Sequence, residues 1–365
     1  GPDAPASVSR LSPYIRYRLL PESEVVAAVL NQHSLAASEK YVQEVLWRTY
    51  WKGWLEMRPS VWTRFVEERD RQRESFSNKR ALEAAEGGTT GIDAFDHYAR
   101  ELVTTGYIHN HARMWFASIW IFTLGLPWTL GSDFFLRHLL DADAASNTLS
   151  WRWVAGLQTV GKTYHATAHN IARYTNGRFS PVGLASEAVA LTEPPIASAQ
   201  TLPLLAAPDA SEPSLLLVTH EDMHPETFLS ELRSDIPIVA ALVATDDDLL
   251  WGDRARAFVK FAAADTASRI AADCNFPAKV SDRLDTALLL SAARAAGVRQ
   301  IFTAYTPVGP VADALATITP ALKREGVALT QIRRPWDEQF WPQAKKGFFT
   351  FKEQIPSLLR AQGLL

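Results

Sequence analysis

Three constellations of residues in this chain have the types and spacing to do chemistry. The first is Gly156-Leu-Gln-Thr-Val-Gly161-Lys162-Thr163, which fits GxxxxGK[ST], the pattern of a loop that cradles nucleotide phosphates. Such a loop joins a buried strand to a helix. Here the preceding Ser150–Val154 is short and Trp-rich, and everything before it reads as helix, so nucleotide hydrolysis is a remote reading. The second is His109-x-His111 together with His165-x-x-x-His169. These spacings suit a metal, but two histidines make an incomplete site, and no bound metal is expected. The third is Asp141-x-Asp143, followed by Asn147, Trp151 and Trp153. Carboxylates two apart in a loop can hold a cation or a ribose hydroxyl, or cap the next helix.

The elements that must position these residues fall into two kinds. Apolar residues recur at i, i+3, i+4 over Val25–Leu30, Tyr41–Trp54, Ile92–Thr104, Ala112–Leu124 and Phe134–Leu140, which predicts helices. The expected division is a helical domain over 7–185, a Pro/Ala-rich linker over 186–213, and an α/β domain over 214–365. In the last stretch the short apolar runs Ser214–Thr219, Ile236–Ala244, Val298–Ala304 and Val327–Ile332 read as strands. Helical patterns at Pro225–Leu232, Asp253–Asp273, Ser281–Ala296 and Val311–Glu325 alternate with them, which predicts a doubly wound parallel sheet of Rossmann type. The fold class expected is α plus α/β.

Composition narrows the classes. The 365 residues are 47% apolar and 21% charged, a globular balance. The formal charge of −3 gives no global basic footprint for nucleic acid. One cysteine excludes a disulfide framework. No apolar run reaches the roughly 18 residues that span a bilayer, so no membrane partner is expected and the cytoplasm is the expected compartment. Oligomeric state is not legible.

Read together, the motifs are more specific. Thr90–Trp153 (TGIDAFDHYARELVTTGYIHNHARM…LPWTLGSDFFLRHLLDADAASNTLSWRW) closely resembles the flavin-binding helical domain of the DNA photolyase/cryptochrome family. Ser9-Arg10-Leu11-Ser12-Pro13 resembles the family's phosphate-contacting SxLSP turn, and Glu44-Val-Leu-Trp47-Arg48 its ExxWR helix. The resemblance covers about residues 8–181 with order and spacing kept. In the second half, Leu215–Glu226 and Trp336–Lys352 resemble the opening and the end of the family's α/β antenna domain, which normally comes first. The chain therefore resembles a circular permutation of the usual architecture, which adjacent termini tolerate.

The resemblance implies FAD as cofactor and light-driven repair of cyclobutane pyrimidine dimers in single-stranded or duplex DNA, a carbon–carbon lyase activity. The alternative it implies is a blue-light receptor that photoreduces without repair. By position, Ser9, Leu11 and Ser12 would contact the FAD phosphates and Arg48 would approach the cofactor. Asn110 and Arg113 would lie over the flavin, Asp141 and Asp143 would hold ribose and ring positions, and Asn147 would face flavin N5. Asn at that position resembles photolyases more than plant or animal cryptochromes. The lesion pocket would comprise Glu44, Trp47, Asn110, Met114 and Trp153, and Asn110 stands where (6-4) photolyases place a catalytic His.

Trp151 and Trp128 match the inner members of the family's electron-transfer chain. The third position has Phe76 and no Trp, which leaves Trp54, Trp62 and Trp120 as unranked outer candidates. Tyr107 stands where Trp is usual and His111 where a DNA-contacting Arg often lies, which weighs against tight duplex binding. No residues identify an antenna chromophore.

Overall fold

A computed structural model describes residues 8–232, 236–246 and 252–365. In chain order the helices α1 (Ser12–Arg16), α2 (Glu22–Leu30) and α3 (Leu35–Glu56) come first. Next are α4 (Ser60–Ser75), α5 (Lys79–Gly87), α6 (Asp93–Thr105), α7 (Asn110–Ser118), α8 (Trp128–His138), α9 (Ala144–Val154) and α10 (Ala168–Tyr174). Strands and helices then alternate: β1 (Ser214–Thr219), α11 (Pro225–Ser230), β2 (Ile238–Ala244), α12 (Asp253–Arg269), β3 (Ala278–Ser281), α13 (Thr286–Ala296), β4 (Gln300–Ala304), α14 (Pro310–Arg324) and β5 (Ala328–Ile332). Three short helices follow: α15 (Pro335–Phe340), α16 (Phe348–Lys352) and α17 (Ile355–Ala361). The expected α plus α/β class is what is found.

The contacts divide the chain into two compact units, and not at the expected boundary. One unit takes residues 8–13, 60–197 and 252–256; the other takes 14–59, the described residues of 198–249, and 257–365. Helices α2 and α3, expected in the helical domain, thus group with the parallel sheet. The expected first residue of that domain, 7, lies outside the described residues.

The helical unit is held by aromatic packing. Phe95 stacks on Phe116 at 4.2 Å, and the rings of Trp120 and Phe135 meet Trp151 edge to face at 6.2 and 5.0 Å. Gly131 on α8 makes this possible, since a Cβ there would lie 2.4 Å from Trp151 and 2.8 Å from Trp120. The turn before α6 is tied by Asp96, whose carboxylate accepts from the Thr90 and Gly91 amides at 2.8 and 2.9 Å.

The sheet of the other unit is all parallel, in the order β3-β2-β1-β4-β5. Central β1 is buried along its whole length, as an apolar run covered on both faces requires. Its core joins Leu215, Leu217, Leu242 and Ile301 to Leu289 of α13 and to Leu315 and Leu322 of α14. Beyond the end of β1 lies a buried ion network that no local pattern announces. Arg16 pairs bidentately with Glu221 at 3.0 and 2.8 Å, Arg18 with Asp337 at 2.8 and 2.6 Å, and Arg334 with Asp222 at 2.6 and 2.8 Å. Burial alone would raise the Asp222 carboxyl; Arg334 and Arg18 outweigh it and hold it below the usual carboxylate range.

Helix α3 is clamped within this same unit. Gly53 lets it approach the Trp341 backbone so closely that a Cβ would sit 2.7 Å from the Trp341 Cα. The Trp336 indole donates to Thr49 Oγ1 at 3.2 Å, and the Tyr305 hydroxyl donates to Glu56 at 2.8 Å. The Pro-rich stretch expected as a linker has no helix or strand, but it is pinned in its middle. Arg64 donates to the Pro194 and Pro195 carbonyls at 2.9 and 3.0 Å; farther on, Gln200 N–H donates to Met57 O at 2.8 Å.

Candidate functional site

In the helical unit four of the expected cofactor residues, Arg113, Asp141, Asp143 and Asn147, lie at or contact the stretch where α8 leads into α9. Asp143 is the N-cap of α9, its side chain accepting from Ser146 N–H at 2.8 Å. Asp141, two residues earlier and buried, accepts from Arg113 Nη2 at 2.9 Å. The same guanidinium donates from Nε to Ile108 O at 2.9 Å and lies 5.6 Å from the Tyr107 ring centroid, so its orientation is fixed from three sides. Asn147, one turn into α9, is buried and donates its amide to Ser132 O and Oγ at 2.8 and 3.0 Å. That bond fixes the side chain's rotamer.

A polar cofactor needs hydrogen-bonding capacity that the protein has not spent on itself. On α9, Ser146 Oγ, Thr148 Oγ1 and Trp151 Nε1 are buried with no partner among the described residues. Buried polar atoms are normally satisfied, so three on one helix beside Asn147 fit a site for a polar group. The expected phosphate-contacting turn has Ser9 exposed and Leu11 and Ser12 half-buried, with Leu11 N–H donating to Ser9 Oγ at 3.5 Å. Arg10 in that turn has φ 56°, a left-handed conformation uncommon for a non-glycine residue.

Of the expected lesion-pocket residues, Asn110 and Met114 share a face of α7, the first exposed and the second half-buried. Trp153 is 39% exposed near the end of α9, with Tyr164 at 6.0 Å. Glu44, Trp47 and Arg48 lie on α3, in the other unit. The Glu44 side chain is exposed by area, yet partial burial of its carboxyl raises its pKa. Trp47 stacks face to face on Phe348 of α16, 3.5 Å between centroids at 10°, with Trp51 tilted against it at 5.3 Å. No local signal points to that partner, which lies about three hundred residues further along the chain.

The two tryptophans read as neighbours in a chain have different surroundings. Trp151 has Trp120 beside it, whereas half-buried Trp128 faces Phe65 at 5.7 Å, and Phe65 faces Trp62 at 5.3 Å. Trp120 is fully buried, with its indole N–H donating to Pro127 O at 2.9 Å, so it is not an outer, solvent-facing member. Trp62 is also buried, and Trp54 lies in the other unit.

The phosphate-loop reading is overturned. Residues 156–163 follow helix α9, not a strand, and run through turns with Gly156 and Gly161 at positive φ. Lys162 is exposed and Thr163 Oγ1 donates to Ala188 O at 2.9 Å. The His109 ring caps α7 by accepting from His111 N–H at 3.2 Å; burial, then nearby positive charge, lowers its pKa to about 4. His165 Nε2 lies 2.8 Å from Ala185 O, and no group of three or more metal-ligating side chains occurs among the described residues. No described helix is long and apolar enough to cross a membrane.

Residues 41–179 match the family model of the FAD binding domain of DNA photolyase. The chain therefore carries an FAD-binding domain of photolyase type. Over that stretch it is similar to the DNA photolyase family. A deoxyribodipyrimidine photo-lyase of Streptomyces griseus is 34% identical over 154 residues, 42% of this chain and 33% of that protein. The chain thus spans about a third of the length of the curated relatives it matches. Among solved structures, an archaeal photolyase from Sulfolobus tokodaii with two FAD molecules is 24% identical, with a TM-score of 0.39, over 46% of this chain and 38% of that one. A Synechocystis cryptochrome is 22% identical at the same TM-score, over 46% of this chain and 36% of that one.

Proposed function

We propose that the protein is a light-driven, FAD-dependent lyase that splits cyclobutane pyrimidine dimers in DNA. The observation that carries the reading is the α8–α9 junction inside the matched domain: Asp141 held by Arg113, Asp143 capping α9, and Asn147 locked beside unspent polar atoms. In this reading Arg113, Asp141, Asp143 and Asn147, with Asn110, hold the flavin and ribose. Ser9, Leu11 and Ser12 hold the phosphates. FAD bound there supplies the excited-state electron that dimer splitting needs; the protein supplies binding, orientation and electrostatics.

The roles of the chain's own residues follow from their surroundings. Arg113 cannot swing away while Ile108 O and Asp141 hold its two ends, so it presents a fixed cation. Partial burial raises the Glu44 pKa, and when protonated this carboxyl would donate a hydrogen bond to a base carbonyl. Trp153 supplies a flat apolar wall for a flipped-out dinucleotide. Trp151 is the inner electron-transfer residue, and ring geometry favours Trp120 over Trp128 as its immediate neighbour. We also read the α/β region after residue 213 as the antenna-like domain in a permuted position.

A second reading, a blue-light receptor that photoreduces without repair, is favoured by one contact. Phe348 covers a face of Trp47 that a base would otherwise use. Glu44→Ala separates the two. Repair should slow while flavin photoreduction stays intact; lost photoreduction with unchanged repair would reverse the assignment.

A further inference from the structure

Residues 144–186 contain no Asp or Glu, while Arg152, Lys162, Arg173 and Arg178 fall within them. Arg152 is buried against Glu193, but Lys162, Arg173 and Arg178 are exposed. The last two guanidinium groups lie over rings, Arg173 5.6 Å from the Tyr174 centroid and Arg178 4.5 Å from that of Phe179. Those rings belong to a continuous track within the helical unit. Tyr174 meets His111 at 4.5 Å, His111 stacks toward Trp115 at 6.2 Å, and Trp115 meets Tyr98 at 6.2 Å. Tyr98 then meets Phe179 at 6.0 Å, and Phe179 meets His97 at 5.1 Å. Trp115 and Tyr98 are buried and form its floor; Tyr174, His111, Phe179 and His97 are half-buried and form its upper edge. Glu101 lies 3.4 Å from His97 at the far end of the track.

We propose that this aromatic track, edged by Arg173 and Arg178, is a binding surface for single-stranded nucleic acid, with phosphates on the arginines and unpaired bases on Tyr174, His111 and Phe179. Interleaved rings and cations are what a single strand requires, because every base has a π-face to stack and every nucleotide a phosphate to neutralise. A duplex keeps its bases stacked inward and would leave the rings unused. Burial lowers the His111 pKa, so near neutral pH this residue offers a ring and not a charge. The proposal rests on the reading of the protein as DNA-acting and specifies which form of the strand it grips.

The test is dark equilibrium binding of the full chain to a short, undamaged, labelled oligothymidylate across a salt series, with the matching duplex alongside. The account expects the single strand to bind more tightly than the duplex. Arg173→Ala with Arg178→Ala should lower the slope of log affinity against log salt by about 1.4, two phosphates at about 0.7 each. The double lysine variant should keep the wild-type slope. Tyr174→Leu should weaken binding roughly fivefold or more at every salt concentration without changing the slope. An alanine pair with wild-type slope and affinity overturns the proposal, as does tighter binding to duplex. The outcomes are separable: repair with unchanged binding by the alanine pair sinks this surface alone, and lost binding without repair activity sinks only the repair reading.

Discussion

The two units hold their functional helices by opposite means. Helix α9 is surrounded by rings that meet Trp151 at its edges, and its Ser146 Oγ, Thr148 Oγ1 and Trp151 Nε1 are left unspent. Helix α3 is fixed by polar and ionic partners, and its Trp47 is spent face to face on Phe348. Edge-on packing positions a ring while leaving its N–H and part of its surface for a ligand. Face stacking fixes a ring by consuming the surface a flat ligand would use. The difference explains why α9 reads as a cofactor helix and why, in the proposed reading, α3 is where repair and photoreception would diverge.

The sharpest way to break the ionic side is at Arg18. Arg18→Met leaves Asp337 and Glu22 without their main partner, and removing one member of a buried pair costs about 3–5 kcal/mol. Chemical unfolding should show that loss; a variant within experimental error of wild type would mean that the network is not what anchors residues 14–22. A pH experiment sharpens the same side. Burial raises the Glu56 carboxyl to about 7, against the hydrogen bonds from Val308 N–H and Tyr305 and the charge of Arg333, and with the help of Asp337. Its folded pKa lies above the ordinary 4.5, so its protonated form is the one folding favours. Stability is therefore fully retained below about 4.5 and falls as pH rises toward 7, by about 3 kcal/mol. Glu56→Gln, whose carbonyl can accept from Val308 and whose amide can donate to Tyr305, should flatten that fall. A variant whose unfolding midpoint drops between pH 5 and pH 8 as much as wild type contradicts the account.

On the aromatic side, Gly131→Ala drives a methyl into Trp151 and Trp120 and should cost about 1–3 kcal/mol. It should also lower the FAD content of the purified protein, read from the flavin absorbance per chain. Asp141→Ala probes the site without disturbing the rings: an unpaired buried donor costs about 1–3 kcal/mol, seen as reduced FAD occupancy. Full occupancy would remove Asp141 from the site. The finest comparison is between tryptophans. Trp151→Phe should slow flavin photoreduction most, and Trp120→Phe should slow it more than Trp128→Phe, because Trp120 is the ring next to Trp151. The reverse order would restore Trp128 as the immediate donor.

What could be read from the sequence was local. Asp143 as a helix cap, the apolar period of α6 and the alternation of strands and helices after residue 213 are all short-range signals. Helix α4 shows no apolar period in the sequence because half of its residues are charged; only Val61, Trp62 and Phe65, near its start, are buried. Strand β3 was missed because it is a four-residue edge strand with little buried surface. The grouping of α3 with the sheet was not legible, since it depends on Gly53 meeting Trp341 and Glu56 meeting Tyr305. The phosphate-loop pattern carries no weight for the complementary reason: its letters are local, but its chemistry needs a strand before it.

The central claim is light-driven repair, and its most direct measurement is the loss of cyclobutane dimers from an irradiated oligonucleotide incubated with the FAD-loaded protein, in blue light and in the dark. The account predicts dimer loss in the light only, with turnover on single-stranded substrate at least equal to that on duplex. Flavin photoreduction with no loss of dimers from either substrate would contradict it and leave the protein a photoreceptor.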